Sequence, residues 1–402
     1  MNPRHIATVF NKELLDSLRD RRTLISMIAI PVLVMPVLIL GMGYLTSKTV
    51  QSARQARSDI MVLGAAQSPQ ITRALEALEN ISLVPATPDY TNLISTKRLR
   101  AAVQLPDDFD AALDRGEPAN VSIFVYEGEM KSGMAAQTLS RFFQKYRDQV
   151  IQKRLADRNL PPAMIQPFNV KRLNVAPPQQ VAGNLVGGLL PYMVILLCMI
   201  GGMYPAMDLT AGEKERGTME TILTSPVARI NLVLGKYLMV LTAAIITAIL
   251  SLGSMTVTYL VAKKAAAGLI PSGSESMALT IDPLSVLAVF GMILPVAFFL
   301  SALQLAVSLY ARSFKEAQTY LSPLMIIVIV PAMASMTPGL ELDFTLALIP
   351  ILNTSLVCKD IMSGTSQGSM VALIFFSNWI YGALSLALAV KLFNKESVLL
   401  RT

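Results

Sequence analysis

"LISMIAIPVLVMPVLILGMGYL", residues 24–45, holds no ionisable side chain except that of Tyr44, and its only helix breakers are Pro31, Pro36 and two glycines. A bilayer's hydrocarbon core is about 30 Å thick and takes roughly 20 apolar helical residues to cross. The stretch meets that length. It is too long for the apolar core of a secretory leader, and no small-residue cleavage pattern follows, so it is expected to stay as an anchor. The same test finds spans at 185–207, 233–262, 283–310, 319–337 and 370–390. A seventh apolar stretch, "FTLALIPILNTSLV" at 344–357, is short and carries Pro350, Asn353 and Thr354. Its length suits a re-entrant or interfacial segment, set within about 340–360, better than a crossing.

Composition agrees. Of 402 residues, 53% are hydrophobic and 15% charged, against about 25% charged in soluble domains; mean hydropathy is +0.52. Two cysteines and one histidine exclude a disulfide framework, C-x-x-C chemistry and histidine-based metal sites. The net charge of +7 reads as orientation rather than nucleic-acid binding. Six spans put both termini inside, beside Arg4, Lys12, Arg19, Arg21 and Arg22 and beside Lys391, Lys395 and Arg401. The inner loops add Lys214, Arg216, Arg229, Lys236, Arg312 and Lys315, while the short outer loops hold only Lys263, Lys264 and Lys359. A seventh crossing would reverse the C-terminal cluster against the positive-inside bias.

The expected fold is therefore a mainly α membrane protein with six transmembrane helices and an α/β extracytoplasmic domain between the first and second spans. Residues 1–23 read as a cytoplasmic amphipathic helix, with Ile6, Phe10, Leu14 and Leu18 at i, i+4 spacing and Val9 beside them. We expect it in the headgroup plane, with Glu13 among its residues, Asn11, Lys12, Asp16 and Arg19 away from the apolar stripe, and the basic residues Lys12, Arg19, Arg21 and Arg22 facing anionic lipid. The alternative is a helix packed on a neighbouring domain. Residues 46–180 are polar and domain-sized. Short β-rich runs at 59–64, 81–85, 100–106 and 121–128 alternate with helical patterns at 68–79, 106–115 and 131–158, which argues a small α/β domain. Its charges are scattered, as on a solvated surface. Residues 181–402 hold the other five spans.

No phosphate loop is present. The nearest string, "LVLGKYL" at 232–238, has Gly235 and Lys236 but neither the earlier loop glycine nor the following hydroxyl. The spans show almost no ionisable residue away from their ends, whereas ion-coupled carriers keep one near mid-membrane. A self-powered carrier is thereby weakened. Asn184, Gln304, Asn353 and Asn378 are the polar candidates for lining a path, with ordinary inter-helix bonding as the alternative for each. "GNLVG" at 183–187 is one copy of a helix-contact spacing.

The inner loop "DLTAGEKERGTMETILTSP", residues 208–226, is different in kind. Gly212 and Gly217 bracket Glu213, Lys214, Glu215 and Arg216. Thr218 is placed to cap a short helix carrying Met219, Glu220, Ile222 and Leu223, and Ser225-Pro226 to open the next one. A structured, charged element pinned between two spans looks like a docking lever for a separate motor.

"GEKERGTMETILTSP" resembles the loop between the second and third spans of type-two ABC export permeases. "FNKELLDSLRDRRTLISMIAIPVLVMP" resembles the start of the Nat-type sodium-efflux permease branch, and "LPDDFDAALDRGEPANVSIFVYEGEMKS" the outer domain of such permeases. The resemblance implies a permease in the prokaryotic inner membrane, paired with a second copy or a sibling and docked to a dimer of cytoplasmic ABC ATPase subunits. ATP and Mg would sit on that partner, with no cofactor, metal or catalytic residue here, and no nucleic acid. It places the N-terminal helix beside the ATPase, the inner-loop helix in the ATPase's cleft, and a broken hairpin before the last span. Na+, an amphiphilic drug or a lipid is the implied cargo. The competing reading is a membrane-anchored sensor or scaffold that binds a ligand through 46–180.

Overall fold

The computed structural model describes residues 2–55, 57–78, 81–127, 129–161, 187–267, 282–337 and 339–395. The chain divides into two compact units, Met1–Gly41 with Asn174–Thr402, and Met42–Leu173.

The first unit opens with helix α1 (Pro3–Ser17), where Pro3 occupies the first turn and the Asn2 side chain accepts the Arg4 amide. Among the described residues, six helices are long and apolar enough to cross a membrane: Arg21–Leu45, Leu189–Glu215, Arg229–Ala262, Pro283–Tyr310, Phe314–Met336 and Gly368–Phe393. Two of their starts are set by local chemistry. Asp20 accepts the Arg22 and Thr23 amides ahead of the first span. Asp282 accepts those of Leu284 and Ser285 ahead of the fourth, with Pro283 next to it. Each cap satisfies donors that a helix cannot satisfy itself.

The second, third and fourth spans are the most enclosed, and the other three turn most of their surface outward. Val37, Ile327 and Leu384 are more than 60% exposed, as apolar side chains facing lipid tails would be. Close approach inside the bundle rests on small residues. A Cβ on Gly201 would lie 2.0 Å from the Thr247 hydroxyl oxygen, so the second and third spans meet there only because none exists. The prolines of the first span have a matching partner. Proline cannot donate to the carbonyl four residues back, which for Pro31 and Pro36 means Met27 and Val32. Thr247 of the third span shares its hydroxyl between its own Ala243 carbonyl at 2.8 Å and the Met27 oxygen at 3.2 Å, and Ser254 donates to the Val32 oxygen at 3.1 Å.

The second unit holds four strands, β1 (Ser58–Leu63), β2 (Ile81–Val84), β3 (Ala101–Gln104) and β4 (Ser122–Val125), in the order β2-β1-β3-β4. β1 runs parallel to β2 and β3, and β4 is antiparallel to β3. Helices α2 (Pro69–Glu76) and α3 (Tyr90–Ser95) make the crossovers that parallel pairing needs; α4 (Phe109–Arg115) and α5 (Met130–Asp157) follow. Side chains alternate between faces. Ile60, Val62 and Val103 pack with Ile71, Phe109 and Leu139, while Met61 and Ala102 pack with Ile94 and Leu99. Both faces are covered, and the α3 helix that covers one of them carries no periodic signal of its own.

Back in the first unit, α6 (Thr218–Leu223) precedes the third span. The stretch after the fifth span folds as two short helices, α7 (Phe344–Ala347) and α8 (Leu352–Ser363). Neither is long enough to cross. Between them Ile351 sits at φ 73°, ψ −53°, a left-handed setting that a β-branched residue enters only under strain.

Candidate functional site

The site is built at the C-terminal end of the second span, which does not stop where apolarity stops. Leu189–Met207 continues through one wide turn at Asp208–Gly212 into Glu213–Glu215. Gly217, at φ 69°, then breaks the helix and α6 begins. The expected caps are corrected here. Thr218 donates its hydroxyl back to the Glu213 carbonyl at 3.2 Å, so it closes the old helix, and left-handed Gly217 makes the turn. Ser225 likewise donates to the Ile222 carbonyl at 2.6 Å and closes α6. The residue before a proline avoids the helical region, and the third span starts only at Arg229.

The docking-lever reading makes the four consecutive charges candidates for bridging a partner. Instead each has a partner within the chain. Lys214 donates to the Leu309 and Ala311 carbonyls, the latter at 3.1 Å, at the C-terminus of the fourth span. Glu215 accepts the Phe314 amide at 2.7 Å, at the N-terminus of the fifth. A cation at one helix end and an anion at the next suit both dipoles. Arg216 donates to the Asp208 carboxylate at 2.8 Å. Glu213 is 3% exposed and bound to the Lys236 ammonium, which is 1% exposed and lies 3.3 Å from Glu13 Oε1. The second oxygen of Glu213 is buried with no hydrogen-bond partner in the structure. Lys236, expected among the inner-loop charges, instead stands buried within the first turns of the third span.

Glu13 also corrects the reading of α1. Part of the helix's apolar face is taken up by the chain itself. Val9, Phe10 and Leu14 pack with Leu232, Val233 and Tyr237 of the third span, and Glu13 follows them inward. Lys12 stays exposed, 3.2 Å from both Glu13 and Asp16. Burial works against its charge, but Glu13 beside it and hydrogen bonds to Asp16 and Glu13 outweigh that and hold its ammonium above the ordinary lysine value. Arg19, Arg21 and Arg22 are exposed.

In α6, Met219 is 2% exposed and packs in the same cluster, with Ile222 and Leu223 half-buried against it. Gly217, Thr218, Glu220 and Thr221 form the exposed edge. A cleft of about 520 Å³ lies between this edge and α1, walled by Asp16, Asp20, Asp208 and Arg216 and floored by Glu13 and Glu213.

The candidate path residues separate. Asn184 lies outside the described residues, as does most of "GNLVG". Gln304 is 1% exposed and donates to the Met199 carbonyl at 2.8 Å, joining the fourth span to the second. Asn353 and Asn378 come together: the Asn378 amide donates to the Thr354 hydroxyl at 2.9 Å, and Asn353 donates to the Ala347 carbonyl at 3.0 Å. This knot ties α8 to the sixth span beside strained Ile351. All three are buried polar ties between elements.

The family described as ABC-2 family transporter protein matches residues 21–391. The chain belongs to that family. This ABC-2 chain is 25% identical over 365 residues to the ABC transporter permease protein NatB of Bacillus subtilis (strain 168), covering 89% of this chain and 90% of the relative. No solved structure matches it. In this ABC-2 member the 208–226 segment acts first as a clamp that gathers adjoining ends of the second, fourth and fifth spans. Sequence reasoning missed the burial of Lys236 and of Glu13. The one available signal was a glycine–lysine pair inside an apolar run.

Proposed function

We propose that this chain is the permease subunit of an ABC exporter, moving cargo outward with ATP hydrolysed on separate ATPase subunits. Membership in the ABC-2 family over 21–391 carries the reading. In this reading both termini and the inner loop face the cytoplasm and 46–180 lies outside, in a prokaryotic inner membrane. ATP and Mg belong to the partner, and two permease copies, or this chain and a sibling, face each other. The α/β arrangement of Met42–Leu173 is the outer domain inserted between the first two spans.

The clamp supports a docking role for the inner segment. A lever must be stiff to pass on a push, and Lys214 and Glu215 fix this one to the fourth and fifth spans. The exposed edge of α6, with Glu220 and Thr221, is the surface left for the ATPase. Cargo is Na+, an amphiphilic drug or a lipid. The test is reconstitution of this chain with and without its ATPase, following ATP-driven Na+ and dye-labelled amphiphile movement. Movement requires both chains and ATP; uphill movement by the chain alone would refute the reading.

A further inference from the structure

The string "LVLGKYL" fails as a phosphate loop, yet its Gly235 and Lys236 are used. Three contacts fasten α1 along the inner end of the third span. The Asn2 amide donates to the Asn231 side chain at 3.2 Å. A Cβ on Gly235 would lie 2.7 Å from the Val9 Cβ and 3.2 Å from the Ile6 carbonyl oxygen, so α1 sits where it does only because residue 235 has none. One residue on, Lys236 is completely buried with Glu13 of α1 on one side and Glu213 of the second span on the other.

Burying three charges costs desolvation energy that their attraction offsets only in good geometry, so such a cluster is a poor choice if stability were the sole need. What it specifies is position. An ammonium shared by two carboxylates from separate elements holds them at one mutual distance, which apolar packing does not impose. Resting on the permease reading above, we propose that Gly235 and Lys236 form a pin that makes α1 and the inner-loop segment one rigid coupling body. A push on α6 then reaches the first span through α1 as well as the second span directly. Lys236 is a positioning residue in this scheme and touches no cargo or nucleotide.

The experiment places spin labels at exposed Thr8 and Thr221 in the assembled transporter, with its ATPase. The distance is compared between nucleotide-free and vanadate-trapped states, with a Thr221–Ser366 pair as reference. In the parent protein the reference distance changes and the Thr8–Thr221 distance does not. Lys236→Met alone strands two buried carboxylates and lowers membrane yield. The Glu13→Gln, Lys236→Met, Glu213→Gln triple removes the charges together and restores yield. There the Thr8–Thr221 distance becomes nucleotide-dependent by about 2 Å or more, the scale on which packed helices slide. Gly235→Ala does the same with the charges intact, and adding Val9→Gly reverses it. A constant Thr8–Thr221 distance in both the triple and Gly235→Ala overturns the pin, as does a changing one in the parent. A reference pair that never responds, or an ATPase that never binds, sinks the permease reading instead.

Discussion

Asp20 shows how much one side chain decides at the start of a span. It accepts the Arg22 and Thr23 amides at 3.2 and 3.0 Å and the Thr23 hydroxyl at 2.8 Å, and so starts the first span. Burial pushes its carboxyl up, but the Thr23 hydroxyl, the two amides and Arg22 outweigh burial and hold it below the ordinary value. A carboxyl whose folded value is depressed adds stability above its unfolded value and loses it as pH falls through the folded one. Asp20→Ala should cost about 1 kcal/mol at neutral pH, and its deficit relative to the parent should shrink on acidification below about pH 4. Denaturant titrations of the two proteins across pH 7 to 3 measure this; a deficit constant with pH would contradict it. The charges of the inner clamp should not be equivalent. Arg216 and Asp208 are 53% and 38% exposed, so Arg216→Ala should cost no more than about 1 kcal/mol. Glu215→Lys sets a cation against the first amide of the fifth span, where the helix dipole is positive. It should be the more damaging change in the same titration, and equal effects would show that the helix-end contact is immaterial.

At the scale of elements, the first and third spans are matched by chemistry rather than by apolarity. Met27 and Val32 receive hydroxyls from Thr247 and Ser254, and hydrogen bonds between membrane helices average about 0.6 kcal/mol each. Thr247→Val with Ser254→Ala should therefore lower stability by about 1 kcal/mol in a detergent unfolding titration. The loss should vanish when Pro31 and Pro36 are already alanine, because each carbonyl regains its helical amide; an undiminished loss would mean the hydroxyls act elsewhere. These contacts also show what sequence conveys. A crossing helix is a local composition signal, so the long apolar helices stood out. The strands β1 to β4 lie on β-rich runs for the same reason, their alternation being local. The α1 stripe revealed an apolar face but not its cover, since nothing near Phe10 or Leu14 says that the third span lies opposite. Glu13 and Lys236 are 223 positions apart, and no window of sequence contains both. Lys236 looked like a loop charge because the positive-inside rule counts lysines near span ends without asking which way they point. Thr218 and Ser225 were read as caps from residue type alone, while the left-handed Gly217 and the reach of Pro226 decided the outcome. Ile351's strain has no sequence signature.

For the whole molecule the decisive quantity is the side on which each part lies, because a lever can be pushed only from the side that holds the motor. The arginines before the first span and Lys391 and Lys395 after the last bias both ends toward the cytoplasm. The clamp at Lys214 and Glu215 gathers the second, fourth and fifth spans at that same end. In the proposed topology of six crossings, 46–180 is expected on the side opposite both termini. The chain is well suited to a direct test. Its two cysteines, Cys198 and Cys358, are buried and free, and burial pushes up the thiol of Cys358, which lies outside the six long helices; both should be nearly inert to a charged thiol reagent. New cysteines at exposed His5, Thr87 and Lys395 would be labelled in intact cells and in inverted vesicles. His5→Cys and Lys395→Cys should react only in inverted vesicles, and Thr87→Cys only in intact cells. Were Lys395→Cys to react with Thr87→Cys, the crossings would be odd in number and α8 or another segment would have to span. The inner clamp and the C-terminal lysines would then lie on opposite sides, and a single cytoplasmic ATPase could not address both.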